Sequence, residues 1–249
     1  MHTVMARARK KRTGWRKWAY RSVLAGVVVL LLPIPMVLVL AVVQPPTTMM
    51  MIDRVFEHLG NGKRPVYPRR TVVSRAAISP YLRRAVLASE DDRFYLHFGF
   101  DLVEIDKALE KKKRGGKLRG ASTLTQQVAK NIFLWEGRSF IRKGLEAYLT
   151  LWLELLLTKD RILDLYLNLA EWGDGIFGAE AAARTHFGKS ASKLSREEAA
   201  RLAAILPSPR RWSPSGSVAS LRIPAILDRM QYAAPLTEEP ARQPSRSVR

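Results

Sequence analysis

Gly120-Ala121-Ser122-Thr123-Leu124-Thr125-Gln126-Gln127-Val128-Ala129-Lys130-Asn131 reads as the opening of a helix. Gly120 and Ala121 keep the backbone accessible, and Ser122 is placed to cap a helix running to about Leu134. On that helix Thr123, Gln127 and Lys130 stand at i, i+4 and i+7 and share a face, with Gln126 beside them. Free amides at a helix N-terminus attract anions, and Lys130 adds a full charge one or two turns in. Such a face suits a diphosphate; an ordinary polar outer face is the competing reading.

Helical signals continue on both sides. Ser79-Pro80 reads as N-cap and first position of a helix to about Glu90, with Leu82, Ala85 and Val86 on one face. A helix from about Phe140 to Leu157 turns Leu145, Leu149, Trp152, Leu153 and Leu156 inward. Asp160 opens another, carrying Ile162, Leu163, Tyr166, Leu167 and Ala170. Ser195-Arg196-Glu197-Glu198 is a capping box for a helix from Ala199 to Leu206, ended by Pro207-Ser208-Pro209. Arg70 to Ser74 is the best strand signal, and it is short. The chain therefore reads as mainly α, with no internal repeat and one domain over 60–234. The run from Leu109 to Arg119 reads as a basic loop, solvated or lying against anionic headgroups. The Pro-, Ser- and Arg-rich tail, 235–249, reads as disordered.

The N-terminal region fixes the setting. Residues 1–22 hold eight Lys and Arg and no acid, and no charge follows from Ser22 to Ile52. Val23 to Val43 is almost purely aliphatic, about 31 Å as a helix, which matches a hydrocarbon core of about 30 Å. Pro33 and Pro35 should kink it. A cleaved signal peptide would have a shorter apolar run and a small-residue cleavage site; here the run ends in Ala41-Val42-Val43-Gln44-Pro45-Pro46. The expectation is a basic cytoplasmic tail (1–22), a retained transmembrane helix (23–43) and a linker (44–59). The rest lies on the outer face. Of the net charge of +20, the tail carries +8, leaving +12 for the body. A basic body beyond an anchor suits anionic lipid or a phosphorylated substrate, and topology argues against nucleic acid. With no cysteine, thiol catalysis and thiolate metal sites are excluded.

A second polar island, Glu90-Asp91-Asp92-Arg93-Phe94 running to His97 and Asp101, packs carboxylates more densely than a core tolerates. Glu90 falls where a helix should end, so the helix dipole and the neighbouring acids should raise its pKa toward the range of a general base. Three solvated acids at a helix end is the alternative. His97 reads more readily as a hydrogen-bonding residue than as a ligand, and no paired-histidine spacing suggests a metal. Glu146, one turn after Arg142, and Glu154 interrupt an apolar helix. Two carboxylates in one cleft, Glu90 and Glu146, would serve glycosyl chemistry, hydrolysis or transfer. A non-enzymatic membrane-bound scaffold with a basic face stays open at this point.

The ordered set of these motifs resembles the monofunctional biosynthetic peptidoglycan transglycosylases, similar to the transglycosylase module of bifunctional penicillin-binding proteins. The matching stretches are Glu90 to Asp101, Gly120 to Asn131, Arg142-Lys143-Gly144-Leu145-Glu146, Tyr166-Leu167-Asn168 and Glu171 to Gly178. Similarity continues through Ala199 to Pro209. Ser190-Ala191-Ser192-Lys193 matches S-x-x-K in letters alone, since too few residues follow for a penicillin-binding domain.

The resemblance implies a lysozyme-like helical lobe with a smaller, mobile, membrane-proximal jaw, in an inner-membrane enzyme with its catalytic domain in the periplasm. It implies polymerisation of lipid II. Glu90 would deprotonate the acceptor's 4-hydroxyl, which attacks C1 of the growing chain, inverts it and expels undecaprenyl diphosphate. Glu146 would assist near the leaving group or position the sugars. Lys130, Arg138, Arg142 and Lys143 would hold diphosphates, while Ser122, Thr123, Gln126 and Gln127 line the donor site with Asp91 and Asn131 nearby. No cofactor is required, with room for a magnesium or manganese ion at the diphosphate. Partners would be lipid II, the nascent strand, membrane lipids, and other wall synthases or division proteins.

Overall fold

A long uncharged aliphatic segment satisfies its own backbone only as a helix, and the chain begins that way. The computed structural model describes residues 2–60, 67–116, 120–137 and 139–232, with only the backbone over 2–14. Arg138, the end of the basic run at 117–119 and the tail at 235–249 lie outside the described residues. α1 (His2–Leu31) and α2 (Pro33–Val42) follow one another, with Leu32 keeping helical torsions and Pro33 at the first position of α2. Together they give an apolar span, Trp15–Val42, long enough to cross a membrane. The break falls at the prolines, as their missing N–H groups require.

The stretch 44–59, expected as a linker, holds the amphipathic α3 (Met49–Gly60), whose Met51, Arg54 and His58 are buried. β1 covers only Arg69–Arg70, two residues rather than the expected run to Ser74. It pairs in parallel with β2 (Ile176–Phe177), Arg69 opposite Ile176. The rest is helical: α4 (Pro80–Glu90), α5 (Leu102–Lys113), α6 (Leu124–Phe133), α7 (Phe140–Leu156), α8 (Lys159–Leu169), α9 (Ala179–Phe187), α10 (Arg196–Ile205) and α11 (Ser217–Arg229). Residues 110–113 of the basic run, expected as loop, form the last turn of α5, where Lys111–Lys113 meet the negative end of the dipole.

Local capping explains most boundaries. Ser79 accepts from the Tyr81 N–H, and Ser195 and Glu198 form the expected capping box on α10. Two caps differ from expectation. Thr123, not Ser122, caps α6, because its hydroxyl reaches the Gln126 N–H while the Gln126 side chain returns to the Thr123 N–H. Thr158, not Asp160, caps α8. On α7 the inner face is also rotated from expectation. Leu149 and Leu153 are buried, but Leu145 turns outward, because Glu146, Thr150 and Glu154 take the inward i, i+4, i+8 positions.

α8 buries Ile162, Leu163 and every residue from Leu165 to Leu169, as a central helix does, and leaves Lys159, Asp160, Arg161 and Asp164 on its partly exposed side. α6 packs between α7 and α8, while α4 packs on α10 and α11. Alanines at 199, 200, 203 and 204 of α10 are fully buried and let α4 approach closely. Gly178 starts α9 at φ +82°, and a Cβ there would stand 2.8 Å from the Asn168 carbonyl oxygen; only glycine fits. The anchor docks on this body. The Tyr148 hydroxyl donates to the carbonyls of Leu30 and Val29, Arg161 donates to Leu40 at 2.7 Å, and Arg70 to Pro45 at 2.6 Å.

Candidate active site

α4 ends because Asp91 leaves helical torsions (φ −162°, ψ 77°) while its N–H still bonds the Leu87 carbonyl. Glu90 is thus the last helical residue, and its carboxyl faces a cavity of ≈ 360 Å³ rimmed by Asp92, Glu104, Ser122, Gln127 and Arg222. Gln127 Nε2 donates to Glu90 Oε2 at 3.1 Å, and Ser89 donates to Oε1 at 3.2 Å. Burial pushes the Glu90 carboxyl above its ordinary range. The Gln127 hydrogen bond, the Arg222 charge and the Ser89 hydrogen bond pull it back in part. Repulsion from Asp91 adds only a lesser push, so the sequence-based reason for the shift gives way to desolvation.

Asp91 points the other way. Its carboxylate accepts from the Leu124 N–H at 2.9 Å and from His97 Nε2 at 3.0 Å. It stands as the anion at the start of α6 and joins the two polar islands. Ligand atoms of Asp91, His97 and Asp101 lie within 4.8 Å of one another. The Asp101 carboxylate is also filled, by the Val103 and Glu104 N–H groups and by Arg93. The carboxylate oxygens of this cluster are thus met by the Leu124, Val103 and Glu104 N–H groups, His97 and Arg93.

Of the residues expected around the donor, Thr123 and Gln126 are buried in the capping box, and Thr123 also donates to the Gly99 carbonyl at 2.7 Å. Ser122 is exposed at the rim. Gln127 lines both this cavity and a second of ≈ 740 Å³, to which Lys130, Asn131, Arg54, Tyr166 and Glu171 contribute. The two cavities adjoin, with Gln127 and Pro207 lining both. Lys130 makes no hydrogen bond or ion pair among the described residues, and burial pulls its ammonium below the ordinary lysine range. Asn131 Oδ1 is buried with no partner.

Glu146 does not line either cavity. It is 3% exposed and accepts from Arg142 Nη1 at 3.1 Å and from Lys143, which also approaches Ser122 at 3.5 Å. Its charge also acts on Lys130. Glu90 and Glu146 are thus set apart in role: one desolvated at the cavity wall, the other clasped by two cations. Glu154 holds the fold instead, bound by Thr125 at 2.5 Å and Lys159 at 2.7 Å.

Sequence reasoning did not single out Arg222, Arg54 or the Tyr166 hydroxyl as parts of the site. Arg222 lies far along the chain on α11 and reaches Ser89 at 3.2 Å; no local pattern marks it. Arg54 is buried between Glu57, Glu136 and Glu171, with its nearest contacts at 2.7 to 3.1 Å. An Arg in an amphipathic stretch, three residues after Met51 and four before His58 on the same face, is the available signal.

Comparison with known proteins adds a further finding. The family profile described as Transglycosylase matches residues 58–231. The chain is similar to a biosynthetic peptidoglycan transglycosylase of Pseudomonas entomophila, 56% identical over 190 residues, covering 75% of this chain and 80% of the relative. It is 54% identical over 178 residues to the protein of the same description from Pseudomonas aeruginosa, covering 72% and 76%. With that of Pseudomonas fluorescens it shares 51% identity over 198 residues, covering 80% and 82%.

Proposed function

The chain belongs to the transglycosylase family, and we propose that it polymerises lipid II into peptidoglycan strands from a membrane anchor. The observation that carries the mechanism is the contrast between the two carboxylates. Glu90 stands desolvated at the wall of an open cavity with its pKa raised, which suits a general base. In this reading it takes the proton of the acceptor's 4-hydroxyl as that oxygen attacks C1 of the growing chain. The C1–oxygen bond to the diphosphate breaks, the anomeric centre inverts, and undecaprenyl diphosphate leaves.

A diphosphate leaving group needs cationic support rather than a proton. Lys130, desolvated and without a direct ionic partner among the described residues, is the first candidate, with Arg142 and Lys143 held nearby by Glu146. Glu146 then acts by keeping those cations in place. A magnesium or manganese ion would need oxygen ligands. Substrate phosphates and water supply such ligands; from the chain itself the neutralising groups are Lys130, Arg142 and Lys143.

The larger helical lobe comprises α4, α6 and α8 to α11. α5, which buries no residue, and the first turns of α7 make the membrane-proximal jaw. In this reading the basic N-terminus is cytoplasmic, and the two adjoining cavities lie on the outer face where lipid-linked substrate is met.

Incubating the purified protein with labelled lipid II tests the reaction class. Longer glycan, formed by the native protein and lost in Glu90→Gln, supports transfer. Shortening of pre-formed wall glycan would instead favour a lytic enzyme, and activity untouched by Glu90→Gln would favour a scaffold.

A further inference from the structure

Gln127 sits where the two cavities meet, and its amide is held at both ends. Nε2 donates to Glu90 at 3.1 Å, and Oε1 accepts from the Tyr166 hydroxyl at 3.2 Å. An amide can turn over, exchanging oxygen for nitrogen. Turned over, it would present its oxygen to the Glu90 carboxylate, lone pair against lone pair. The Tyr166 hydroxyl opposes this by supplying a proton to Oε1.

Tyr166 is fitted to that task. It is 2% exposed on the central helix α8, so its ring cannot swing away. Burial and the charges of Glu90 and Asp91 push the phenol well above its ordinary range, so it stays a neutral donor. A core position at this point in α8 needs only an apolar ring, which phenylalanine would supply. The hydroxyl has no packing duty.

We propose that Tyr166 is a positioning residue for glycosyl transfer, acting through Gln127: its hydroxyl fixes the amide so that the NH₂ group faces the Glu90 carboxylate. This rests on the reading of Glu90 as the base. The groups around Glu90 are Ser89 and Asp91 on its own segment, Gln127 from α6, Tyr166 from α8 and Arg222 from α11. Asp92, Asp101, Glu104 and Arg229 border the same cavity. Only the Tyr166–Gln127 pair is changed by the variants below.

The sign follows from the hydrogen bond. The Gln127 donor favours the ionised carboxylate, so releasing or inverting the amide raises the Glu90 pKa further. A base with a higher pKa is ionised only at higher pH, so the acid limb of kcat/KM moves up.

The experiment measures the pH dependence of lipid II polymerisation for the native full chain, Tyr166→Phe, Gln127→Met and the double variant, with Glu90→Gln alongside and melting curves for each. Expected are a loss of about tenfold in kcat for Tyr166→Phe, the rate equivalent of one hydrogen bond, and an acid limb shifted to higher pH. Adding Tyr166→Phe to Gln127→Met should change neither quantity, since the hydroxyl acts through an amide no longer there.

An unshifted limb in Tyr166→Phe, or an equal effect in both backgrounds, would overturn the proposal. Should Tyr166→Phe fail to fold, Gln127→Met alone must still shift the limb upward, and an unmoved limb there has the same force. Glu90→Gln separates the two failures: if it still polymerises, the base assignment falls. If it is inactive while the limbs stay put, only the role of Tyr166 falls.

Discussion

Asp91 and Asp92 show how little neighbouring identical residues need share. Asp91 is 8% exposed and satisfies the Leu124 N–H and His97, whereas Asp92 is exposed at the cavity rim. Removing Asp91 orphans two buried donors, each costing about 1–3 kcal/mol. Asp91→Ala should therefore lower the melting temperature by several degrees, while Asp92→Ala should stay within about 0.5 kcal/mol of the native protein. Equal melting curves would remove Asp91 from its structural place. The sequence made the island legible as a unit of function, because seven ionisable or polar groups in twelve residues exceed what folding needs. It could not divide the labour within it. Which carboxylate faces the cavity depends on one torsion pair at the end of α4, where Asp91 leaves the helix and turns toward α6.

Among the elements, the helices with strong caps were readable and the details of facing were not. α10 begins at the Ser195 capping box as its letters indicate, while α6 begins one residue later than its first candidate. By residue type Ser122 is the slightly better cap; the Gly99 carbonyl, which accepts from Thr123, and the return bond from Gln126 decide for Thr123. Thr123→Ala should cost about 1 kcal/mol or more in a denaturation midpoint, and Ser122→Ala should leave it unchanged. The reverse ranking would return the cap to Ser122. α7 was misread in rotation for a related reason. Its leucines outnumber its inward positions, and the buried carboxylates of Glu146 and Glu154 find partners in the side chains of Arg142, Lys143, Thr125 and Lys159. Hydrophobic periodicity does not register such pairings.

At the scale of the molecule, the anchor and the body are joined by specific contacts rather than by an idle tether. α3 buries Arg54 against Glu171, with Glu57 and Glu136 completing the set, so the segment after the anchor is fastened to the edge of the larger cavity. Arg54→Met leaves Glu171, itself buried, without its cation, at a cost of about 3–5 kcal/mol. Glu136→Gln, at an exposed partner, should cost at most about 1 kcal/mol. Melting of both variants in the same detergent checks the ranking. The span and the mainly helical class were legible because both rest on composition and period. α3 was not, since a twelve-residue helix beside prolines gives a weak signal until Arg54 meets carboxylates more than eighty residues away. All of this serves one arrangement, a desolvated carboxylate at the wall of a cavity in a body fastened to an apolar helix long enough to cross a membrane. The most direct test of it is the rate of lipid II polymerisation across pH for the native protein and Glu90→Gln. The account predicts an acid limb lying above the ordinary glutamate pKa of about 4.3, and a loss of at least about 10²-fold in Glu90→Gln at the pH optimum. A folded Glu90→Gln variant that polymerises near the native rate would contradict it.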